Sequence, residues 1–568
     1  MSIASSQANA LLFQLRHIAS ASTLGHNARF AHVDDETVAM MLEQAAQFAD
    51  AELAPLAARG DVSGCTLREG SVKLPEGTTA VWKNWCELGF PALALPAEHE
   101  GLDFPRNVSS AVQELCDGAH LAFGMLAINL RCAAMALIRN ATPELVARYV
   151  PGLVSGDLAS TIAISEPQAG SDVGRILTTA VPQDDGSWQL NGSKIWISFG
   201  DHDATPEIIH LVLARVPNGE AGTRGLGLFL VPGHKDATGR QSNGISILRL
   251  EHKMGLHASP TCVLELKGAR GELVGEPGRG LQALFVMMNA MRLAVAVQGA
   301  AVANVATLHA VRYALERPQG GHPLSPPRPI AEHADVRRML LEMTAQAELA
   351  RALALRTASC LDQGDMYDDE AATAWQALGE LLLPVAKTLN AEAGFQVASQ
   401  GMQVLGGYGY TNDYPLERLA RDIRVAAIYE GTSGIQALDF LKRRVMADQG
   451  ALLGFLLQRV GDALARGNSP FVARWPHVLQ QMHEALRYFL EQPPVASEAG
   501  AYALLQLTGC VIHCWNGHAL HAAATGGSNH EQRLRAALEH AAATLPEQAA
   551  LWSAKARQAL PDHCFDNN

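Results

Sequence analysis

The feature that most constrains the fold is a block of strand-like segments, residues 159–277, between two helical stretches. The block holds six or so short runs rich in β-branched residues, among them STIAISE, EIIHLVLARV and TCVLELKGA. No helical pattern separates them, and runs joined only by turns are typical of a small antiparallel sandwich or barrel. Within SWQLNGSKIWISFG, the letters LNGSK are expected to form a hairpin turn between two strands.

The flanking stretches carry apolar residues at the three-to-four spacing of amphipathic helices. Asp34 and Asp35 are candidate caps for the first clear helix, and residues 60–78 (GDVSGCTLREGSVKLPEGT) have the composition of a loop. We therefore predict a mainly helical α+β fold. Its four parts are an N-terminal helical domain (1–158), a central β-barrel or sandwich (159–277), a helical bundle (278–445) and an additional C-terminal helical domain, here called the tail (446–568).

Charge and composition narrow the class of protein. The 568 residues carry a formal net charge of −13 and the tail holds no basic patch, so we expect no nucleic-acid partner. We find no apolar run near the roughly 20 residues that span a bilayer, and we expect no stable membrane insertion. Nine scattered cysteines without a CxxC pair indicate reduced thiols, no metal site and a cytoplasmic location. Residues 1–33 contain no acid, which leaves the mitochondrial matrix as a minor alternative.

One carboxylate stands in an unusual setting. In AIYEGTSGIQ (427–436), Glu430 follows an apolar run and precedes a Gly-Thr-Ser-Gly turn. Burial against that run disfavours the charged form and is expected to raise the pKa of Glu430 toward the range of a working base. The spacing alone also fits an ordinary acid that precedes a helix and is favoured by the helix dipole. Thr432 and Ser433 are candidate caps for that helix.

Five stretches together resemble the acyl-CoA dehydrogenase family over residues 35–445. They are AISEPQAGSDV, NGSKIWIS, EHKMGLHASPTC, YALERPQGG with AEHADVRRMLLEM, and QVLGGYGYTNDYPLERLARDIRVAAIYEGTSGIQ. The letters GDVSGC, GLHASPTC and FVMMNAMRLAVAVQG, together with the tail, narrow the resemblance to a long-tailed branch that includes 3-(methylthio)propanoyl-CoA dehydrogenases. The resemblance implies helices, then a small β domain, then a helical bundle.

The resemblance also implies a chemistry. Glu430 matches the base that removes the α-proton of an acyl-CoA thioester, and its backbone N–H matches a donor to the thioester oxygen. Gly431 matches a position where the backbone approaches the substrate closely. The hydride acceptor of the family is FAD, and the chain has no GxGxxG motif after a strand that would indicate a nicotinamide site.

Flavin-binding positions transfer from the family motif by motif. The positions in AISEP and KIWIS match contacts to the flavin ring. Strand alternation places Trp196 and Ser198, both in KIWIS, on one face of the strand. Those in ALERPQGG match contacts to the FAD pyrophosphate of a neighbouring subunit, which suits an Arg and implies a homodimer. The cofactor-binding residues implied are Ile164, Ser165, Trp196, Ser198, Arg317, Gln319, His333, Gln403, Gly406, Gly407, Thr432 and Gly434.

Four residues match substrate-binding positions: Ser171, Asn289, Arg292 and Gly431. Ser171 stands at the pantetheine position. Arg292 lies inside an apolar helical run, where a guanidinium needs an anionic partner, and Asn289 lies about one turn earlier. The acyl group stays open between 3-(methylthio)propanoyl and a short or medium chain, because QAGSD (168–172) and the tryptophan of KIWIS depart from the methylthio branch.

The implied activity is α,β-dehydrogenation of an acyl-CoA to the trans-2-enoyl-CoA, with electrons passed to electron-transfer flavoprotein. An acyl-CoA oxidase, which uses dioxygen, shares the half-reaction and is the first alternative. A nucleic-acid-associated flavoprotein of the alkylation-response type is the second, and the net charge of −13 disfavours it. The apolar helical runs of the tail need a surface to bury against, so we expect the tail to cover the bundle and to limit assembly to a dimer.

Overall fold

A computed structural model describes residues 2–19, 27–234, 241–366, 369–492 and 497–558. The helices are α1 (Ile3–His17), α2 (Asp35–Phe48), α3 (Ala54–Ser63), α4 (Thr78–Glu87), α5 (Arg106–Ala119), α6 (Leu121–Asn140), α7 (Pro143–Ser155), α8 (Gly280–Glu316), α9 (Ala334–Gly364), α10 (Glu370–Leu405), α11 (Leu416–Ile423), α12 (Ser433–Asp439), α13 (Ala451–Leu464), α14 (Pro470–Glu491), α15 (Ala501–Ala523) and α16 (Asn529–Ala556). The strands are β1 (Thr66–Arg68), β2 (Ser71–Lys73), β3 (Leu158–Ala163), β4 (Thr179–Pro182), β5 (Trp188–Ser198), β6 (Glu207–Arg215), β7 (Leu226–Pro232), β8 (Ile245–Leu250) and β9 (Thr261–Val274). This order confirms the mainly helical α+β fold with a central β domain.

The helices before the β domain pack around a shared apolar core. Helix α1 joins it through Leu11 and Leu15, which are fully buried. Gln14 donates to the Glu348 carboxylate of α9 at 2.6 Å and so ties α1 to the bundle. Asp34 caps α2 through its side chain, as predicted.

The loop predicted at residues 60–78 is wrong in two respects. Helix α3 continues to Ser63, and β1 and β2 then form an antiparallel hairpin with Leu67 opposite Val72. Val72 is buried in the core of the β domain, where Leu67 packs beside it. The hairpin therefore has tertiary support that its polar, glycine-rich sequence does not reveal.

The β domain is a closed barrel of mixed strands. The order is β3–β6–β4–β5–β9–β7, β7 pairs back onto β6, and β8 pairs with β9. The antiparallel arrangement that we predicted is wrong in part, because β3 and β4 both run parallel to β6. The segment 164–178 returns the chain, so that β4 begins in the same direction as β3.

The hairpin turn predicted at LNGSK is also wrong. Strand β5 runs through Gly192 to Ser198, and the turn lies instead between β4 and β5, where Pro182 is opposite Trp188. The intervening letters QDDGS contain the Asp and Gly residues that such a turn favours.

Three long helices, α8, α9 and α10, form the centre of the bundle. Asn390 of α10 donates to the carbonyl of Ala296 in α8 at 3.0 Å and to that of Ala350 in α9 at 2.8 Å. Gly299 lets α8 and α10 touch, because a Cβ there would lie 2.1 Å from the Asn390 carbonyl oxygen. These contacts fix the position of α10 along both α8 and α9.

Among the residues that the structure describes, two helices have the length and apolar composition of a membrane span, so the expectation of no such run is wrong on that point. They are Leu121–Asn140 and Gly280–Glu316, and 83% and 61% of their most apolar windows are buried inside the protein. Core helices of large domains pass the same test, since a helix that is apolar all round is one that other helices cover.

The tail, residues 446–568, contributes helices α13 to α16 and packs on the bundle. Leu456 and Leu505 of the tail share an apolar core with Leu353 and Val385 of the bundle. Cation–π contacts reinforce this face, for example Arg356 of α9, whose guanidinium carbon lies 3.9 Å from the ring centre of Trp515. The predicted breaks RGNSP, EQPPVASEAG and TGGSNHEQ coincide with ends of these helices.

Candidate active site

The segment that carries Glu430 is a short strained turn between α11 and α12. Glu430 has a φ of 54°, a left-handed backbone conformation that is costly for a residue with a side chain. Gly431 follows with a φ of 84°, which a glycine adopts freely. Thr432 caps α12 through its hydroxyl, as predicted, whereas Ser433 does not cap but donates to the Glu392 carboxylate at 2.8 Å.

Two side chains hold the backbone of this turn. Lys387 of α10, fully buried, donates its ammonium group to the carbonyl of Gly431 at 2.7 Å. Gln436 of α12 donates to the carbonyl of Glu430 at 2.8 Å. We predicted neither residue. Lys387 had a detectable signal, because a single lysine within LLLPVAKTL is as unusual as the arginine that we did identify.

Burial and the nearby charges change the pKa of Glu430 in opposite directions. Burial raises the pKa of the Glu430 carboxyl, while the cations of Lys387 and Arg292 lower it. Burial likewise lowers the pKa of Lys387 to about 8, with Glu430 opposing that change. The group that we identified as a base is therefore a partly desolvated carboxylate balanced by two nearby cations.

Arg292 has the anionic partner that its position in an apolar helix requires. Its guanidinium lies 2.7 Å from the Asp439 carboxylate, and both side chains are almost fully buried. Asp439 is the last residue of α12, so this pair fixes α8 to the helix that follows the Glu430 turn. The anion that Arg292 needs is therefore Asp439, a residue of the chain itself.

A cavity of about 770 Å³ lies between α5, α6 and α8. Apolar side chains such as Ile128, Met135 and Leu293 line it, and so does Asn289, a predicted substrate residue. Cys132 of α6 lines it as well. Burial raises the pKa of the Cys132 thiol to about 12, and the negative charge of Glu430 adds to that rise.

Helix α6 also connects this cavity to the β domain. Asn129, one turn before Cys132, donates to the carbonyl of Ser198 at the end of β5 at 3.4 Å. Tyr429, the neighbour of Glu430, donates its hydroxyl to Gln298 and contacts Met125 of α6. The Glu430 turn, the cavity and the end of β5 therefore meet around α6.

Trp196, near the end of β5, is placed as a ligand platform. The pairing of β5 with β9 is irregular between Lys194 and Ile197, and Trp196 sits in this bulge with a φ of 64°. Its side chain is 58% exposed, which is unusual for tryptophan, while Ile197 is buried. The predicted common face for Trp196 and Ser198 is compatible with this burial pattern, but the bulge was not predicted.

A buried ion pair fixes the strand ends that carry the predicted ring-binding residues. Lys194 donates to the Glu166 carboxylate at 2.8 Å and to the carbonyl of Ile164 at 2.9 Å. The N–H of Ile195 donates to the carbonyl of Ser165 at 2.9 Å. Neither Lys194 nor Glu166 was predicted, although both lie within motifs that we quoted.

A second cavity, of about 680 Å³, collects much of the predicted FAD set at the far end of α10. Of the predicted residues, its lining contains Arg317, Gln319, His333, Gly406 and Gly407. Gln403 lies just before this lining and is exposed. The His333 ring lies 2.8 Å from the carbonyl of Gln319.

This second cavity has the donors and the open space that a pyrophosphate needs. Within the described ranges Arg317 has no carboxylate at ion-pair distance, and its guanidinium lies near the Tyr408 ring. A Cβ added at Gly406 or Gly407 would meet no atom within 4 Å, so both glycines face free space. An unpaired guanidinium beside bare backbone fits an anionic ligand.

The remaining predicted residues do not line either cavity. Ser171 is exposed in the loop after β3, and Thr432 and Gly434 are exposed at the start of α12. Arg292 and Gly431 lie beside Glu430 without lining the larger cavity. The substrate and cofactor roles of all these residues stay predictions.

The chain is similar to known acyl-CoA dehydrogenases over most of its length. Models of the acyl-CoA dehydrogenase N-terminal, middle and C-terminal domains match residues 35–157, 161–269 and 278–446. The chain is 36% identical to a 3-methylmercaptopropionyl-CoA dehydrogenase of Ruegeria pomeroyi, over 89% of this chain and 88% of the relative. It is 34% identical to a broad-specificity linear acyl-CoA dehydrogenase of Mycobacterium tuberculosis, over 78% and 75%.

The fold of the tail also has a counterpart. A solved acyl-CoA dehydrogenase of Bacillus anthracis, complexed with FAD, matches 92% of this chain and 88% of its own, with a TM-score of 0.74 and 21% identity. Residues 1–445 alone cannot supply that coverage, so the match includes tail helices.

Proposed function

Because the chain belongs to the acyl-CoA dehydrogenase family, an oxidoreductase family acting on the CH–CH group of acyl-CoA, we propose that Glu430 is its catalytic base. One observation carries this proposal above the others. Glu430 sits in a strained turn that two buried side chains hold, and its neighbour Tyr429 contacts α6, the helix that lines a cavity of about 770 Å³ and bonds to the end of β5. The product is the trans-2-enoyl-CoA.

The chain's own groups account for the proton. Burial keeps Glu430 from being a stable, fully solvated anion, and Lys387 and Arg292 keep it from being permanently protonated. The backbone N–H of Glu430 has no carbonyl acceptor in the described residues, so it is free to donate to the thioester oxygen. The acyl chain lies in the cavity between α5, α6 and α8, with Asn289 at its wall.

FAD, the cofactor of the family, accepts the hydride from the β-carbon when it is bound. Trp196, Ser198, Ile164 and Ser165 would hold its ring, and the cavity around Arg317 would hold a pyrophosphate. The second cavity is far from the Glu430 turn within one chain. Lys387 contacts the Glu430 turn and Leu405 lines the second cavity, 18 residues further along α10 (405 − 387), or about 27 Å at the helical rise. A homodimer, in which each second cavity serves the partner's flavin, is therefore proposed.

We also propose an acyl group for the substrate and an acceptor for the electrons. The acyl group is 3-(methylthio)propanoyl or a short or medium chain, on the strength of the 36% identity to the Ruegeria pomeroyi enzyme. Electrons pass to electron-transfer flavoprotein, with dioxygen, as in an acyl-CoA oxidase, as the alternative. The cytoplasmic location stays a prediction, with the mitochondrial matrix second.

The test is anaerobic bleaching of the flavin by a panel of acyl-CoAs. We expect the purified protein to be yellow, with about one FAD per chain, and to lose its colour with at least one saturated acyl-CoA. Aerobic release of peroxide without any acceptor protein would instead support the oxidase. A colourless protein that cannot be reconstituted with FAD would contradict the proposed function.

Arg317→Ala is expected to weaken FAD retention and to loosen the dimer, because Arg317 is proposed to reach the partner's cofactor. FAD content after gel filtration and mass by light scattering measure the two effects together. Arg474→Ala, an exposed arginine of the tail, is the matched control and should change neither. Unchanged FAD content together with an unchanged dimer would remove Arg317 from the site.

Lys387→Met is expected to move the acid limb of flavin reduction to higher pH. Lys387 lowers the pKa of Glu430, so removing its charge lets that pKa rise and keeps the base protonated over a wider range. The rate constant of reduction is measured against pH by anaerobic stopped flow. Lys83→Met, an exposed lysine of α4, is the control, and an identical profile for all three proteins would show that Lys387 does not act on the base.

A further inference from the structure

We propose that the tail holds the catalytic turn in place through Glu392, so that Glu392, Tyr502 and Gln506 are positioning residues for the base. This inference rests on the proposed function in one respect, since it takes Glu430 to be that base. It assigns the tail a part in the reaction, beyond covering the bundle.

The contact chain runs from the tail to the turn in two steps. Tyr502 and Gln506 of α15 donate to one oxygen of the Glu392 carboxylate, at 2.7 Å and 2.9 Å. Ser433 donates to the other oxygen at 2.8 Å. Gln506 also donates to the Tyr502 hydroxyl at 2.8 Å, which closes the group on itself. Each carboxylate oxygen is therefore occupied by a donor from a different part of the chain.

Helix α10 places this carboxylate opposite the catalytic turn. Lys387 and Glu392 lie on α10 five residues apart, and they bond Gly431 and Ser433 respectively. The residues on either side of Thr432 are thus attached to the same helix. A bond to a charged group is stronger than one between neutral groups, so the link through Glu392 is one of the firmer attachments of the turn.

The setting is partly shielded from solvent. Glu392, Tyr502 and Gln506 are each only partly exposed, and Leu505 and Thr508 of the same helix are fully buried. Burial, together with the Glu392 carboxylate, raises the pKa of Tyr502, so its hydroxyl stays protonated and remains a donor. A solvated surface pair would exchange partners with water, whereas this group does not need water to satisfy it.

The strained backbone explains why the turn needs such attachments. Glu430 holds a left-handed φ that relaxes when nothing opposes it. If the tail only pinned itself to the bundle, removing Tyr502 and Gln506 would weaken tail packing and leave the turn unchanged. If the tail positions the base, the same change loosens residues 428–436.

The experiment uses the full-length, FAD-loaded protein with the double variant Tyr502→Phe/Gln506→Leu. The control is Tyr488→Phe/Gln480→Leu, which removes the same two side-chain types from α14; neither group contacts Glu392. We expect amide hydrogen exchange in residues 428–436 to become about tenfold faster in the first variant only. The rate constant of flavin reduction at saturating acyl-CoA should fall about tenfold, with half-saturation unchanged, as for one lost bond to a charged group.

Ser433→Ala tests the same contact without changing any residue of the tail. It breaks the same chain of contacts from the side of the turn and leaves Tyr502 and Gln506 on Glu392. The same faster exchange is expected, with the exchange of α15 unchanged. Exchange in residues 428–436 equal to that of the control in both variants would overturn the proposal, as would faster exchange without slower reduction.

The two proposals fail separately. If the unaltered protein binds FAD but no acyl-CoA reduces it, the proposed function is wrong, and hydrogen exchange still decides whether the tail holds the turn. If the unaltered protein is reduced normally and the exchange does not change, only the role of the tail is wrong.

Discussion

Glu430→Gln is expected to bind FAD and acyl-CoA normally and to reduce its flavin more slowly by a factor on the order of 10² to 10⁴. The amide keeps the size of the side chain and loses the basic oxygen pair. Lys387 and Arg292 both favour the carboxylate anion, the form of Glu430 that accepts the proton. An uncharged amide cannot accept the α-proton, whatever charges surround it.

The measurement is single-turnover flavin reduction under anaerobic conditions, with acyl-CoA affinity taken from the spectral change on binding. Glu87→Gln, an exposed carboxylate of α4, is the control and should behave as the unaltered protein. Reduction by Glu430→Gln at near-normal rates would show that the base lies elsewhere in the chain.

Lys194→Met is expected to lower the free energy of unfolding of the β domain by about 3 to 5 kcal/mol, as for one partner removed from a buried pair. Lys194 is fully buried and satisfies three acceptors: the Glu166 carboxylate and the carbonyls of Ile164 and Leu213. Methionine fills the space but donates to none of them. FAD retention should fall with stability, because the same contacts fix the segment that carries Ile164 and Ser165.

The pair also predicts a dependence on pH. Burial raises the pKa of Glu166, but the Lys194 charge and several hydrogen bonds outweigh it and hold that pKa at about 2. The carboxylate therefore stabilises the fold above its ordinary pKa of 4.5, and this contribution is lost as the pH falls toward 2. Lys194→Met should show a weaker loss in that window than the unaltered protein.

Urea unfolding followed by tryptophan fluorescence measures both effects. The control is Lys267→Met, an exposed lysine of β9, which should shift the transition little. The double variant Glu166→Gln/Lys194→Met should recover part of the loss, because no buried charge is left unpaired. A Lys194→Met transition that coincides with that of the control would show that the pair does not stabilise the β domain.

The sequence alone was sufficient to predict features that depend on residues close together in the chain. Helical periodicity identified the helical regions, and the cap at Thr432 followed from its place before an apolar helical run. The need of Arg292 for an anion was also readable, since a charge inside an apolar run always needs one. Its partner, Asp439, was not readable, because 147 residues separate the two and only the packing of α8 against α12 brings them together.

The features that the sequence did not show are those set by tertiary contacts. The β1–β2 hairpin is held by the core beneath Val72, not by its own polar residues. The bulge at Trp196 depends on how β5 pairs with β9. Lys387 reaches a carbonyl 44 residues away, so no local spacing connects it to Gly431.

The most direct test of the central claim is an anaerobic titration of the FAD-loaded protein with acyl-CoA, read by flavin absorbance and by mass spectrometry of the thioester. The account predicts that one trans-2-enoyl-CoA forms for each flavin reduced, in the unaltered protein and not in Glu430→Gln within the same time. Full recovery of the acyl-CoA with the flavin still oxidised, across 3-(methylthio)propanoyl-CoA and short- and medium-chain substrates, would contradict it.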